Sequence, residues 1–246
     1  MADLSTERVS FESALAALLA GYEVGSGSGT ILDSRLTLIN YAKVKLDEII
    51  PEGEGVQFNV DGDINISDPL NLMLNSLLDE SARRVQLNCP IEFLDPVKSS
   101  ESAGVANATD SLIGYVPLAD NFVRLVSFKM SEWKRPVSIA LKSTDPAYKK
   151  QTNKYTRGGI NKPVAAFSHR TISATQKRVL EYFSIVSSHA IDWLYYIQET
   201  AAEDLQDNLV DALTWNIAGT VLEITERPDL AKLAFEQELL SYKNLV

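Results

Sequence analysis

Residues 202–224 have the sequence AEDLQDNLVDALTWNIAGTVLEI, in which large apolar side chains recur at every third or fourth position. This spacing predicts an amphipathic helix. One broad face of the helix carries Leu205, Leu209, Leu213, Ile217, Val221 and Ile224. Because such a face has to be buried against other elements, the segment predicts a helical core whose remaining members lie elsewhere in the chain.

Three further amphipathic segments supply those members. One is expected from about residue 33 to Ile50, and a second, capped by Asp68, from Pro69 to about residue 89. A third begins at Pro228, after a break at residues 225–228. Their apolar stripes are Leu38, Ala42, Leu46 and Ile49 in the first, Leu70, Leu74, Leu77, Leu78 and Val85 in the second, and Leu230, Leu233, Ala234 and Leu240 in the third.

Between these helices the helical periodicity disappears, and short runs rich in Val, Ile, Phe, Tyr and Trp replace it. Strands are predicted at residues 112–116, 122–130, 137–141, 164–167, 179–186 and 191–197. No helix long enough for a parallel crossover lies between them, so antiparallel pairing is expected. Asp145 and Pro146 are expected to open one short helical turn.

The fold class predicted from these patterns is α+β. Residues 33–89 and 201–246 form a helical bundle, and residues 90–200 form an antiparallel β-rich module inserted into it. Residues 1–32 include a Gly-Ser stretch and are expected to be a flexible N-terminal segment. No bilayer span or secretion signal is recognised, and the single cysteine excludes an intrachain disulfide, which favours a reducing cytoplasm.

Charge is distributed very unevenly along the chain. Residues 122–178 contain thirteen basic and two acidic side chains, a formal charge of +11, whereas the whole chain carries −10. The remainder therefore carries −21. One interpretation is an ordinary solvated surface, and the other is a basic module that docks on something acidic, either nucleic acid or a neighbouring copy.

The sequence shows no constellation typical of an enzyme. His169 and His189 are isolated, and Cys89 has no basic neighbour in sequence to stabilise a thiolate. Residues 61–68 begin like a calcium loop but lack its glycine and its bidentate glutamate. We therefore predict no catalytic residue, no cofactor site and no metal site, and a protein that is not an enzyme.

Aromatic residues alternate with the basic ones in the middle of the chain: Phe128, Trp133, Tyr148 and Tyr155. Two interpretations are open. The rings could stack on the bases of a nucleic acid, or Phe128 and Trp133 could fill the core of the β module while the basic side chains point outward.

Several stretches of the sequence resemble tailed-phage proteins. The residues that carry the resemblance are 117–126 (PLADNFVRLV), 133–137 (WKRPV), 148–159, 162–164 (KPV), 213–219 (LTWNIAG) and 227–232 (RPDLAK). They are similar to the ring or adaptor proteins of crAss-like bacteriophages. The last two stretches also resemble the C-terminal helices of podovirus head-to-tail connectors, known as gatekeepers or tail tubular A proteins.

The resemblance implies a structural virion protein at the head–tail junction or in the tail, assembled in the host cytoplasm. It implies a homo-oligomeric ring, usually of twelve copies, that binds the portal protein and other tail or ring proteins. Genomic DNA would pass through its channel without sequence-specific binding, and no membrane is involved. The alternative function is nucleic-acid binding through residues 122–178. Candidate partner-interface residues are Trp133, Lys134, Arg135, Lys149, Lys150, Tyr155 and Arg157.

Overall fold

A computed structural model of the chain describes residues 31–50, 69–183, 185, 186 and 188–245. The expected flexible segment, the Asp68 cap and the calcium-like stretch lie outside the described residues, apart from residues 31 and 32. The helices are α1 (Ile31–Ile49), α2 (Pro69–Asn88), α3 (Pro146–Gln151), α4 (Val210–Ile224) and α5 (Pro228–Lys243). The strands are β1 (Val97–Lys98), β2 (Val105–Ala106), β3 (Ile113–Pro117), β4 (Phe122–Met130), β5 (Leu141–Lys142), β6 (Ala165–Ile172), β7 (Thr175–Phe183) and β8 (Ile191–Gln198).

Helix α4 is the centre of the helical core, as its sequence predicts. It packs against α1, α2 and α5, and every residue from Ala212 to Leu222 is buried. The predicted helix was expected to begin near residue 202. Instead, two 3₁₀ turns, Ala202–Asp204 and Asp207–Leu209, precede it and already bury Leu205 and Leu209. The chain is therefore α+β, with helices from both ends of the described sequence sharing one apolar cluster.

Arg35 on α1 forms hydrogen bonds with two other elements of this core. The Arg35 guanidinium donates to the Asp79 carboxylate on α2 at 3.1 Å and to Glu203 in the first 3₁₀ turn at 2.9 Å. The hydrogen bond from Arg35 lowers the pKa of Asp79. Helices α1 and α2 are thus joined to the segment before α4 by polar contacts as well as by buried apolar side chains.

The turn between α4 and α5 is a Schellman motif without glycine. The backbone N–H of Arg227 donates to the carbonyl of Leu222 at 2.9 Å, and that of Glu226 donates to Glu223 at 3.1 Å. Glu226 has a φ of 60°, in the left-handed region. This geometry explains why the helical pattern stops at residue 224 and restarts at Pro228.

Helix α5 is turned differently from the prediction made for it. Leu233 and Leu240 are exposed, whereas Glu238 is only 3% exposed. The carboxylate of Glu238 accepts a hydrogen bond from Asn216 on α4 and another from the Tyr242 hydroxyl, each at 2.7 Å. Because these two bonds compensate the burial of the carboxylate, a face that contains Glu238 packs inward. Three leucines of α5 stay outside: Leu233, Leu239 and Leu240.

The β module consists of two sheets. A three-stranded sheet has the order β1-β8-β4, and a five-stranded sheet has the order β2-β3-β7-β6-β5. Their inward side chains, among them Phe128, Leu180 and Tyr182, form a second apolar cluster. Val123 and Ile197, from β4 and β8, join the helical cluster instead, so the three-stranded sheet connects the module to the helices.

Three details of the module differ from the predictions. All strand pairs are antiparallel except β5 and β6, which pair in parallel after a long connection that contains α3. The strand expected at residues 137–141 is reduced to a single bridge between Val137 and Phe128, followed by β5. Strands β6 and β7 extend to a two-residue turn at Ser173 and Ala174.

Within the described residues, no helix is long and apolar enough to span a bilayer.

Candidate functional site

Most exposed basic side chains of the module lie on two loops, on β5 and on the short helix α3. We define the basic loop face as the exposed residues Lys134, Arg135, Ile139, Lys142, Lys149, Lys150, Lys154, Tyr155 and Lys162. The backbone N–H of Lys134 donates to the carbonyl of Ile160 at 3.0 Å, which holds the two loops side by side. The loops that carry Lys134 and Lys162 are thus adjacent, although they are far apart in sequence.

Helix α3 presents Lys149 and Lys150 on this face. Asp145 caps its N-terminus by accepting from the backbone N–H of Ala147 at 2.7 Å, and Pro146 occupies the first turn, as predicted. The two lysines lie in the last turn, where positive charge is favourable next to the free carbonyl groups. The prediction for this helix is confirmed.

A buried carboxylate anchors α3 from below. Glu181 on β7 is 4% exposed and accepts two hydrogen bonds from Arg170, at 2.9 and 2.7 Å. Its other oxygen accepts from the hydroxyl of Tyr148 on α3 at 2.6 Å. Burial and this bond raise the pKa of Tyr148 to about 12. The basic helix therefore sits on a hydrogen-bonded network rather than on a mobile loop.

The prediction that Arg157 is an interface residue is wrong for the described structure. Its guanidinium donates to Asp110 at 2.7 Å, and its side chain is 7% exposed. The pKa of Asp110 is lowered mainly by the backbone N–H of Leu112 and next by Arg157. Arg157 thus ties the 152–162 loop to the segment before β3, and its charge is already used within the chain.

Trp133 is also wrong as an interface candidate. Its side chain is 2% exposed and meets the Phe128 ring edge-on, with the ring centroids 5.3 Å apart. The interpretation that Phe128 and Trp133 fill the core is therefore confirmed. Tyr148 packs edge-on against Phe183, so it is unavailable for base stacking as well.

The remaining candidates, Lys134, Arg135, Lys149, Lys150 and Tyr155, are exposed. Tyr155 is 83% exposed, with the Lys154 ammonium 5.1 Å from its ring centroid. The sequence analysis missed Ile139, which is also 83% exposed. Its position in an apolar run predicted a strand, and only the loop conformation places this side chain in solvent.

Besides Lys154 with its ring contact to Tyr155, five of the thirteen basic residues have side-chain partners within the chain. Arg124 donates to the Leu87 carbonyl on α2, and Lys129 pairs with Asp192 at 2.6 Å. Arg178 lies over the rings of Phe122 and Phe167. Together with Arg157 and Arg170, these residues stabilise the module. The charge available to a partner is therefore concentrated on the basic loop face.

A second surface feature lies where the module meets the helices. A cleft of about 230 Å³ opens between β8, the end of α2 and the two 3₁₀ turns. Its apolar lining includes Leu94, Ile197, Leu205 and Leu209, and Asp95 and Asp204 stand exposed at its rim. We call this feature the acidic cleft.

The nucleophiles and bases that we considered are not assembled into a site. Burial raises the pKa of the Cys89 thiol to about 11, His169 is exposed, and His189 is hydrogen-bonded to the Tyr182 hydroxyl. In the described part of the chain, no group of three or more His, Cys, Asp or Glu residues is placed to hold a metal ion.

No protein-family model matches the sequence, and no curated protein matches it.

Proposed function

We propose that this chain is a non-enzymatic structural protein of a tailed-bacteriophage virion. In this proposal its copies form a ring, usually of twelve, which joins the portal and head to the tail and surrounds the channel for genome ejection. The proposal starts from the resemblance in residues 117–164 and 213–232. It is supported by the order of helices, inserted β module and terminal helices.

The observation that carries the proposal is the separation of charge. Free basic side chains gather on the basic loop face, while exposed carboxylates lie elsewhere, including Asp95, Asp204 and Asp207 beside the helices. Complementary patches on one chain favour association between copies and set their orientation. Contact with acidic surfaces of the portal or of another tail protein would use the same basic loop face.

The composition of the basic loop face favours a protein partner over nucleic acid. Of the four aromatic residues that could have stacked on bases, only Tyr155 is fully presented to solvent. Ile139 adds an exposed aliphatic side chain, which gains nothing from a phosphate backbone. Aromatic and aliphatic side chains among charges are typical of the anchor of a protein interface.

The test is the size of the purified protein, alone and with its portal protein, by mass photometry and electron microscopy. We expect closed rings, or rings that form on the portal. A protein that remains monomeric in both conditions would contradict the proposal.

A parallel titration with duplex DNA tests the alternative function. Tight binding that weakens steeply with salt, without assembly, would favour the nucleic-acid alternative. Weak or absent duplex binding together with rings would favour the virion ring.

A further inference from the structure

We infer that neighbouring copies join head to tail, with Lys154 and Tyr155 of one copy seated in the acidic cleft of the next. This inference rests on the proposed ring and names the two surfaces that would build it. We call Lys154 and Tyr155 the tip.

The backbone of the tip is held by hydrogen bonds within its own loop. The Asn153 side chain accepts from the backbone N–H of Tyr155 at 2.9 Å, and its carbonyl accepts from that of Arg157, also at 2.9 Å. The Thr156 hydroxyl donates to the carbonyl of Lys150 at 2.9 Å. Because the backbone of this loop has little freedom left to lose on binding, an exposed tyrosine on it is suited to anchor an interface.

The acidic cleft has the chemistry that accepts such an anchor. The cleft measures about 230 Å³, is open to solvent, and combines apolar with polar lining residues. Its apolar lining suits the face of a phenol. The rim carboxylates of Asp95 and Asp204 suit both the phenol hydroxyl, which donates, and the ammonium of Lys154.

The two surfaces occupy different parts of the molecule. The tip belongs to the loop that precedes β6 of the five-stranded sheet, whereas the cleft is built by β8 of the three-stranded sheet and the turns before α4. A contact between two different patches is heterologous, and repetition of such a contact closes a ring when its rotation is suitable. A second copy of this chain is therefore the occupant that the charge complementarity favours.

Two complementary variants test this inference in the full chain. The tip variant carries Lys154→Glu and Tyr155→Ala, and the cleft variant carries Asp95→Asn and Asp204→Lys, where asparagine keeps an acceptor for Gln206. Each variant should remain folded and lose rings, with self-association weakened by about tenfold or more. Mixed together, they retain one intact tip and one intact cleft, so they should form a 1:1 heterodimer and no larger species.

The control is Lys232→Glu, which reverses an exposed charge on α5 and should leave rings intact. Native rings that persist in either variant would overturn the inference while leaving the proposed function standing. Loss of rings in both variants without a heterodimer on mixing would also overturn it. Should a variant melt far below the native protein, Tyr155→Ala and Asp204→Asn alone replace it in the same mixing experiment. A native protein that never assembles, even on its portal, would instead contradict the proposed function.

Discussion

The helical core around α4 and the basic loop face use their side chains in opposite ways. From Ala212 to Leu222 every residue of α4 is buried, including polar ones such as Asn216 and Thr220. The basic loop face keeps lysines, a tyrosine and an isoleucine in solvent. The first region buries nearly all of its surface, and the second leaves its surface in solvent.

The two regions differ in where their polar side chains are directed. In the helical core they point inward, as in the bonds of Asn216 and Tyr242 to Glu238. Under the basic loop face, contacts from Tyr148 and Arg157 hold the backbone, while the lysines make few contacts. Substitutions in the two regions should therefore separate folding from assembly.

The largest loss of stability is expected for Trp215→Ala. Trp215 is buried on α4 and has the Lys45 ammonium 4.7 Å above its ring. Removing the indole should lower the free energy of unfolding by about 3–5 kcal/mol, measured by urea denaturation. A variant that folds normally but fails only to join its partners would assign Trp215 to an interface between subunits.

A smaller loss is expected for Tyr148→Phe. The change removes the hydrogen bond to the Glu181 carboxylate and should lower the free energy of unfolding by about 1.5–3 kcal/mol. Hydrogen exchange should become faster in α3, because its contact with the sheet is weakened. Tyr155→Phe is the matched control and should change stability by less than about 0.5 kcal/mol. Equal effects of the two changes would contradict the anchoring role of Tyr148.

The Tyr148 contact also predicts a dependence on pH. The pKa of Tyr148 is raised from 10.0 to about 12 in the folded chain. Its stabilising effect is therefore fully present below pH 10 and is lost as the pH rises towards 12. The stability difference between the native protein and Tyr148→Phe should stay constant from neutral pH to pH 9 and then shrink. A difference that grows above pH 10 would show that the sign is wrong.

A small gain is expected for Glu226→Gly in the turn after α4. Glu226 has a φ of 60°, and glycine adopts this conformation without steric cost. The free energy of unfolding should rise by about 0.5–1 kcal/mol in thermal or urea denaturation. Glu226→Ala keeps the strained backbone and should give no comparable gain. A loss of stability in the glycine variant would mean that the Glu226 side chain makes a contact of its own.

The smallest effect on stability is expected for Lys149→Glu with Lys150→Glu. Both side chains are exposed, so the free energy of unfolding should change by about 0.5 kcal/mol or less. Ring formation or portal docking should nevertheless decrease, most strongly at low salt, where repulsion is least screened. Intact assembly at every ionic strength would remove the basic loop face from the interface.

The sequence predicted the positions of the helices and strands better than it predicted which of their faces are buried. The residues of β4 matched the predicted strand, and α2, α3 and α5 began at the predicted prolines. The orientation of α5 could not be predicted, because apolar periodicity cannot anticipate that partners on two helices compensate a buried Glu238. The β6–β7 turn at Ser173 and Ala174 has positive φ angles but lacks the Asn-Gly pattern typical of them. The first predicted strand therefore ended too early in the sequence, and the second began too late.

The sequence predicted only part of the candidate site, because it does not show which side chains are buried by tertiary contacts. Charge counting located the basic segment, and exposure confirms five of the seven residues as surface positions. The interface predictions for Trp133 and Arg157 were wrong because both side chains are buried by contacts, with Phe128 and with Asp110 respectively. The sequence pattern does not show these contacts. Ile139 was missed because an exposed aliphatic residue in a loop has the same sequence pattern as a buried one in a strand.

The insertion of the β module also determines the order in which the molecule can fold. Helices α4 and α5 are neighbours in sequence and can pair as soon as both are available, whereas α2 meets α4 only after the chain between Asn88 and Val210 has closed on itself. Contacts across so long a loop form slowly, and ribosomal synthesis delivers α4 only after the whole module has emerged. The acidic cleft, which needs both β8 and the turns before α4, is completed at that same late step. In the inferred head-to-tail contact, a nascent chain would carry a finished tip before a finished cleft, which would delay self-association until each subunit is fully folded.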